Sequence, residues 1–401
     1  MLSQKARPVI IQTLPVIGER ISEITPNFYK RLFSAHPELL NGTFSRSNQR
    51  NGTQQQALAG SIVAFSKHLV EHPDTLPEQI LSRIAHKHAS LGIVPEQYPI
   101  VYEHLFAAIA ENLGDALTPE IAEAWTEVYW LMADALIKIE KQLYAKQAND
   151  VFWATWELTK REDHTDNITS FYFSPTDDTG VTPALPGQFV SLKVKLSDGI
   201  HQARQYSLSR EIANPNLRVI TVKSSADGEV SKFIRHNLAV GDRVELSNPY
   251  GDVTFNHTDS QPLIVATAGI GSTPASALLE NLVNTASQTS IQIIHAEENW
   301  TQWALAKQVT SFVGKLPNAK LDLWLADANT TAPEQFPGQI HQGWVEVNAL
   351  NLDAEVLANT RIYLCGPLGF MRSVRDQFIN AGAKATNIHY EVFGPDLWLA
   401  A

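Results

Sequence analysis

The sequence predicts a multidomain protein with an all-α domain at residues 1–148, an antiparallel β-barrel at 149–260 and an α/β domain at 261–401. Three observations predict this order. Apolar residues recur at helical spacing, without β-rich alternation, up to about residue 148. Short strands separated by glycine and aspartate turns follow. Strands and helices then alternate to the end of the chain, which is typical of a parallel sheet.

The composition is that of an ordinary globular protein, with 44% hydrophobic and 18% charged residues. The net charge of -11 comes without a basic run, which argues against nucleic-acid binding. The apolar run at residues 8–11 is too short to span a membrane and is interrupted at Gln12, Thr13 and Pro15, so it predicts a helix and not a signal peptide. A single cysteine excludes an internal disulfide. This fits a reducing cytoplasm, and we also expect a monomer.

Proline and apolar spacing define the helices of the first domain. Thr25-Pro26 and Thr118-Pro119 each predict an N-cap followed by proline at the first helical position. Further helices are predicted from three apolar faces: Leu58, Ile62, Phe65 and Leu69; Leu81, Ile84, His88 and Leu91; and Tyr98, Val101, Leu105 and Ile109. On spacing alone, His88 is either a packed core histidine or a ligand, whereas His86 is expected to face away.

The β-rich and α/β parts are predicted from shorter segments. Barrel strands are expected at residues 151–159, 189–194, 217–223 and 243–246, with turns such as Ser197-Asp198-Gly199 between them. Strands of the parallel sheet are expected at 263–266, 291–295, 321–325 and 361–364, and helices at 275–283 and from Trp303 onward. This alternation predicts helices on both faces of the sheet.

Two loops of the last domain carry candidate chemistry. The segment Gly269-Ile270-Gly271-Ser272-Thr273-Pro274 follows an apolar strand and opens a helix, a context that suits a dinucleotide pyrophosphate. Cys365 has no catalytic-triad pattern around it, which argues against covalent catalysis. Glu297 and Glu298 follow the next strand, where a carboxylate accepts from ribose hydroxyls and repels a 2′-phosphate. NADH is therefore favoured over NADPH.

Beyond these patterns, the whole chain resembles the flavohaemoglobins. In the helical part the resemblance lies in Phe28-Tyr29, Phe44, Ser47-Asn48-Gln49-Arg50-Asn51-Gly52, Gln54, Leu58, Lys87-His88, Pro95-Glu96-Gln97-Tyr98 and Glu140. It implies a globin domain that binds haem b with His88 as the proximal iron ligand. It further implies a relay of Tyr98 and Glu140 behind that ligand. Tyr29, Gln54 and Leu58 would lie over the distal face, and Lys87 is counted with the catalytic residues.

The residue chemistry agrees with these roles but leaves alternatives open. A carboxylate that accepts the second ring N–H of a haem histidine makes the imidazole more electron-donating, as in peroxidases. Taken alone, Glu140 would be interpreted as a solvated carboxylate and Tyr98 as a half-buried core phenol. The Tyr29 hydroxyl and the Gln54 amide can both donate toward negative charge on a bound ligand. The alternative for Tyr29 is an ordinary aromatic of the apolar face.

The second half resembles the ferredoxin-reductase-like family. The motif is Arg204-Gln205-Tyr206-Ser207. Its arginine would pair with the FAD pyrophosphate. Its tyrosine would stack on or beside the isoalloxazine, and its serine would form a hydrogen bond with that ring near N5. Gly228-Glu229-Val230-Ser231 matches a second phosphate loop. The loop at 269–274 matches the family despite Pro274. Cys365-Gly366-Pro367 matches the loop that approaches the nicotinamide.

The C-terminal segment matches the part of the family that lies between flavin and haem. It reads Tyr390-Glu391-Val392-Phe393-Gly394-Pro395, and Glu391 is the residue expected to tune the redox centres. Two departures occur. Phe189 stands where a tyrosine is common, so a hydrogen bond to the flavin is expected to be missing, and Val392 stands where a cysteine is common. Neither departure is expected to abolish activity.

The resemblance implies a nitric oxide dioxygenase, in which electrons pass from NAD(P)H through FAD to haem and NO and O2 become nitrate. Denitrosylation or oxygen-free NO reduction would be a lesser activity. Two other classes stay open: a haem sensor or oxygen-delivery globin with its own reductase, and a flavin reductase whose helical domain no longer binds haem. A lipid or azole ligand in the distal pocket also stays open.

Overall fold

The computed structural model describes residues 1–255, 261–330, 333–394 and 396. The first domain is helical, as predicted. Its α-helices are α1 (Ala6–Ala35), α2 (Arg46–Arg50), α3 (Thr53–Glu71), α4 (Glu78–Leu91), α5 (Gln97–Leu113) and α6 (Pro119–Ala145). The long helices enclose one apolar core, in which α1 packs against α3, α5 and α6, and α4 packs against α6. Among the described residues, no helix combines the length and apolarity that a membrane crossing requires.

The two predicted proline starts have different outcomes. Thr118 caps α6 by accepting from the Ile121 amide at 3.3 Å, which confirms that prediction. The start at Thr25-Pro26 is wrong, because α1 runs through Pro26 without a break. Thr25 lies inside the helix and its hydroxyl donates to the Ile21 carbonyl at 3.0 Å. The buried face of α1 continues on both sides of the proline, and this packing compensates for one missing backbone hydrogen bond.

The second domain is a closed antiparallel barrel with strand order β1-β2-β5-β4-β3-β6. The strands are β1 (Ala154–Thr165), β2 (Ile168–Pro175), β3 (Phe189–Lys195), β4 (His201–Arg210), β5 (Arg218–Lys223) and β6 (Arg243–Leu246), and α7 (Glu229–Asn237) precedes β6. Sequence patterning missed β2 and β4. The first half of β4 is mostly polar, so it lacks the apolar alternation that marks a half-buried strand.

The third domain contains a parallel sheet of order β10-β9-β8-β7-β11-β12. Its strands are β7 (Leu263–Ala268), β8 (Ile291–Glu297), β9 (Ala319–Leu325), β10 (Gln339–Gln342), β11 (Arg361–Cys365) and β12 (Ile388–Glu391). Its helices are α8 (Ser272–Asn284), α9 (Ala306–Val313), α10 (Ala354–Leu357) and α11 (Leu368–Asn380). One apolar cluster includes α8 and α9, and a second includes α11. Helix α9 begins at Ala306, so the prediction of a helix from Trp303 was three residues early.

Candidate functional site

A cavity of about 640 Å³ extends from the helical domain to the barrel. Its helical walls are mainly apolar, and β4 and the start of α7 complete it from the barrel side. Many of the residues singled out by sequence line it: Tyr29, Gln54, Leu58, Lys87, His88, Tyr98, Arg204, Gln205, Tyr206, Gly228, Val230, Ser231, Phe393 and Gly394. The fold therefore brings candidate residues from distant parts of the chain to one space.

Three polar side chains meet on one wall of this cavity. Nδ1 of His88 lies 2.8 Å from Oε1 of Glu140 and 3.2 Å from the Tyr98 hydroxyl. The Tyr98 hydroxyl donates to the same Glu140 oxygen at 2.6 Å. Glu140 is only 2% exposed, so the interpretation of a solvated carboxylate is wrong. Helix α6 buries this acid because its neighbours on the same face, Leu136 and Leu143, pack into the domain core.

This arrangement fixes the orientation of the histidine. An imidazole that donates from Nδ1 to a buried carboxylate holds its second nitrogen, Nε2, free to act as a ligand. Burial is the main cause, and the charge of Glu140 the second, that raises the pKa of the Tyr98 phenol above its usual value. Tyr98 therefore keeps its proton and remains a hydrogen-bond donor. Of the stripe predicted from spacing, Ile84 and Leu91 line the cavity beside His88, whereas Leu81 is buried in the core of the helical domain.

Hydrogen-bond donors reach the cavity from α1 and α3. Tyr29 is buried, and this burial raises the pKa of its phenol, while a hydrogen bond with Gln54 acts in the opposite direction. The ring of Tyr29 packs edge-on against Phe44 at 5.9 Å between centroids. Leu58 lines the cavity one helical turn beyond Gln54. An O–H donor and an amide are thus held inside an otherwise apolar space.

These residues fit an iron porphyrin. The cavity is large and apolar, and His88 offers one ring nitrogen while the other is held by Glu140. Across the described residues, no group of three or more histidine, cysteine, aspartate or glutamate side chains could hold a bare metal ion. A porphyrin supplies most of the iron ligands itself, so a single protein ligand is sufficient.

The barrel side of the cavity has the features of a phosphate site. Arg204 of β4 lines it, and one guanidinium nitrogen donates to the Ser47 hydroxyl of the helical domain at 3.0 Å. Gly228 is the N-cap of α7, so the predicted phosphate loop is the first turn of a helix, with Val230 and Ser231 in that turn. Helix N-termini present unpaired N–H groups to anions.

The helical domain and the barrel are joined by ion pairs beside this site. Arg46 binds Asp198 and Glu229, each at 2.6 Å. Its backbone N–H also donates to the side-chain oxygen of Gln202 at 3.1 Å. Glu229 is the first residue of α7. We refer to the contacts of Arg46 with these three residues as the Arg46 junction.

A buried carboxylate lies beside β4, in a small cavity that shares lining residues with the large one. Glu391, the last residue of β12, accepts from the Ser207 hydroxyl at 2.9 Å and from the Tyr363 hydroxyl at 2.6 Å. Burial raises the pKa of Glu391 above its usual value. Phe189 and Val392 also line this small cavity, which has a volume of about 30 Å³. Tyr363 is a functional candidate that sequence reasoning missed, because only the pairing of β11 with β12 reveals it.

Lys87 and the C-terminal segment approach each other near this carboxylate. The Lys87 ammonium donates to the Gly394 carbonyl at 2.6 Å. Burial lowers the pKa of Lys87. Phe393 and Gly394 line both the large and the small cavity. Pro395, which was predicted with this segment, lies outside the described residues.

The two loops predicted for the nucleotide touch each other. Residues Gly269–Gly271 form a 3-10 turn, and α8 then starts at Ser272 with Thr273 and Pro274 in its first turn. A Cβ on Gly271 would lie 2.2 Å from the Cys365 carbonyl oxygen, so the close approach of these loops requires glycine. Pro367 is the N-cap of α11, and Gly366 connects it to the strand.

Cys365 and Glu297 are two further residues of this domain for which the sequence predicts a role. Cys365 is fully buried and burial raises the pKa of its thiol, which agrees with the absence of a nucleophilic role. Glu297 ends β8 and lies 3.8 Å from the buried His295 imidazole. Although burial acts to raise the pKa of Glu297, its interactions with His295 lower it below the usual value, so the carboxylate stays charged at neutral pH. Glu298 is exposed beside it.

Comparison with known proteins identifies the same three parts. The globin family model matches residues 26–136, the oxidoreductase FAD-binding domain matches 155–255, and the oxidoreductase NAD-binding domain matches 265–376. The chain is 36% identical to a flavohemoprotein of Chromobacterium violaceum over 98% of both proteins. It is 35% identical to a flavohemoprotein of Bacillus subtilis over all of this chain and 99% of that one.

Solved structures agree. A Malassezia yamatoensis flavohemoglobin with bound FAD and heme is 43% identical and superimposes with a TM-score of 0.90, over 98% of this chain and 100% of that chain. The FAD/NAD-binding domain of nitric oxide dioxygenase from Vibrio cholerae is 28% identical, with a TM-score of 0.54, over 60% of this chain and 99% of that one. The chain belongs to the flavohemoprotein family, whose members join a globin to an oxidoreductase.

Proposed function

We propose that the protein is a nitric oxide dioxygenase that uses haem b, FAD and NADH to convert NO and O2 to nitrate. The observation that carries this proposal is the shared cavity. His88, held by Glu140, and the β4 residues Arg204 and Tyr206 all line the same space. A haem ligand and a flavin-binding strand on one cavity are arranged for electron transfer between the two cofactors.

The cofactors supply the redox chemistry, because FAD accepts hydride from NADH and passes on single electrons, while haem iron binds diatomic gases. The contribution of the chain is to hold and orient these groups. His88 would ligate the iron, and the charged Glu140 would increase electron donation from its ring. Arg204 and the first turn of α7 would hold the flavin phosphates.

The Tyr29 hydroxyl and the Gln54 amide would stabilise negative charge that develops on the gas-binding side. Their positions in an apolar wall also exclude water, which strengthens each hydrogen bond. These donors suit activation of the bound gas at least as well as storage. The buried carboxylate behind His88 favours the dioxygenase, because an oxygen-delivery globin gains little from it.

Glu297, at the end of β8, supports NADH as the reductant. A charged carboxylate at this position accepts from ribose hydroxyls and repels the extra phosphate of NADPH. The Vibrio cholerae relative is named as a nitric oxide dioxygenase, which supports the same reaction class.

The proposal is tested with the purified holoprotein, NADH, O2 and NO. One hydride carries two electrons, so one NADH should be consumed for every two NO molecules and two O2 molecules that become two nitrate ions. Tyr29→Phe should lower NO consumption while NADH-driven flavin reduction stays normal. Nitrite as the main product, NO turnover that is equally fast without O2, or a protein without a haem spectrum would refute the proposal.

A further inference from the structure

Arg83 lies at the point where all three domains meet. It belongs to α4, five residues before His88, and its side chain is only 14% exposed. Its Nε lies 3.4 Å from Asp252 and its Nη1 lies 3.2 Å from Asp396. Its guanidinium carbon is 3.9 Å from the centre of the Tyr390 ring. One globin side chain thus binds the segment that follows the barrel and the C-terminal end of the parallel sheet.

The neighbours of Arg83 on α4 bind the same two segments. Nδ1 of His86 accepts from the Gly251 N–H at 2.8 Å, and burial lowers the pKa of His86, which agrees with a neutral acceptor. Lys87 donates to the Gly394 carbonyl at 2.6 Å. Residues 83, 86 and 87 share one side of the helix by spacing. Arg83 and Lys87 also border the large cavity, which His88 lines from the same helix.

The charges at this position make Arg83 difficult to replace. Asp252 and Asp396 have side chains only 18% and 10% exposed, and Arg83 lies between them. Removal of one partner from a buried ion pair leaves an uncompensated charge, which is far more costly than the loss of the attraction. A planar guanidinium can bind two carboxylates and stack on an aromatic ring, which a lysine cannot do equally well.

Arg83 is separate from the packing that folds each domain. The buried apolar cores of the globin, the barrel and the sheet consist of other residues. The contacts of Arg83 instead connect Asp252, Tyr390 and Asp396 to α4. Residues 391 and 393, which follow Tyr390, line the small cavity together with Ser207 of the flavin-binding strand.

We propose that Arg83 is a positioning residue that sets the distance and orientation between the reductase half and the helix of the haem ligand. Its side chain borders both the large and the small cavity, and it controls electron transfer from the flavin site to the haem site by fixing the position of the two halves. This inference rests on the proposed use of both cofactors, but it does not depend on NO as the substrate.

The test compares Arg83→Met and Arg83→Lys with the wild type as holoproteins. Anaerobic stopped-flow mixing with NADH follows loss of flavin absorption and the Soret change of the haem as separate signals. We expect flavin reduction within about twofold of wild type in both variants. Haem reduction should be at least tenfold slower in Arg83→Met and intermediate in Arg83→Lys. The control Arg31→Met removes an exposed ion pair with Glu111 on the same domain and should change neither rate.

Hydrogen exchange gives a readout that does not depend on turnover. The Gly251 amide and the backbone of residues 388–394 should exchange at least tenfold faster in Arg83→Met, whereas the amides of α1 should not change. If Arg83→Met does not fold, Asp252→Asn removes one of the two carboxylates and should give a smaller effect of the same kind. Haem reduction within twofold of wild type, or equal slowing of flavin and haem reduction, would overturn the proposal. A wild type that reduces its haem but makes no nitrate would contradict the proposed function alone.

Discussion

Replacing Glu140 by glutamine tests whether the buried carboxylate tunes the haem. Glutamine is the same size, and its oxygen can still accept from both His88 and Tyr98. The NH2 group of the glutamine would take the place of Oε2 of Glu140, an atom that has no hydrogen-bond partner. A hydrogen bond to a charged group contributes about 1.5–3 kcal/mol and a neutral one about 0.5–1.5 kcal/mol. The substitution therefore weakens this hydrogen bond by about 1–1.5 kcal/mol, which is the largest amount by which it can destabilise the ferric state relative to the ferrous state.

This energy converts directly to a redox potential. For a one-electron couple about 1.4 kcal/mol corresponds to ~59 mV, so the haem potential should rise by up to about 40–65 mV. A spectroelectrochemical titration of the Soret band measures the shift. Glu103→Gln, an exposed change on α5, is the matched control and should leave the potential unchanged. A shift below about 15 mV, or a fall in potential, would refute the role assigned to Glu140.

Three further predictions concern the other parts of the site. His88→Ala should lose the Soret band but keep flavin absorption and NADH-driven reduction of an artificial acceptor, and a normal haem spectrum in this variant would reassign the ligand. Burial raises the pKa of Glu391, so the native state binds its proton more tightly than the unfolded state and loses stability as pH rises through the native pKa. The melting temperature of Glu391→Gln minus that of the wild type should therefore be larger at neutral pH than at acidic pH. A difference that does not change with pH would contradict this. Gly271→Ala places a Cβ 2.2 Å from a backbone oxygen and should raise the KM for NADH at least tenfold with the haem spectrum intact, whereas Gly18→Ala, with no atom within 4 Å, should not.

The elements that were predicted correctly from sequence are those with a periodic or continuous apolar pattern or a local capping hydrogen bond. The apolar faces of α3, α4 and α5 were evident because a helix repeats its buried side every three or four residues. The cap at Thr118 was evident because its hydroxyl satisfies an amide three residues away. The apolar strands β7 and β11 were evident for a similar reason, since strands buried on both faces form short continuous apolar runs.

Features that depend on distant partners could not be predicted in this way. α1 passes through Pro26 because other helices bury its face, and β4 is a strand because β3 and β5 pair with it. Spacing alone favoured solvent for Glu140, whereas the family resemblance implied its place with Tyr98 behind His88, and the fold shows these contacts. Arg83 carries no motif. Its importance arises from three partners that are 169 to 313 positions away in the chain.

The Arg46 junction limits how these domains can be recombined. Hybrid enzymes made by fusing this reductase to an unrelated gas-binding head would retain Asp198 and Glu229 without the cation that neutralises them. Two acids would then face the new head across the fusion interface, close to the loop intended for an anionic cofactor. Grafting residues 41–50 into the new domain would restore Arg46 and neutralise both acids. A functional exchange of domains therefore has to include part of the helical domain and not only the sequence after residue 148.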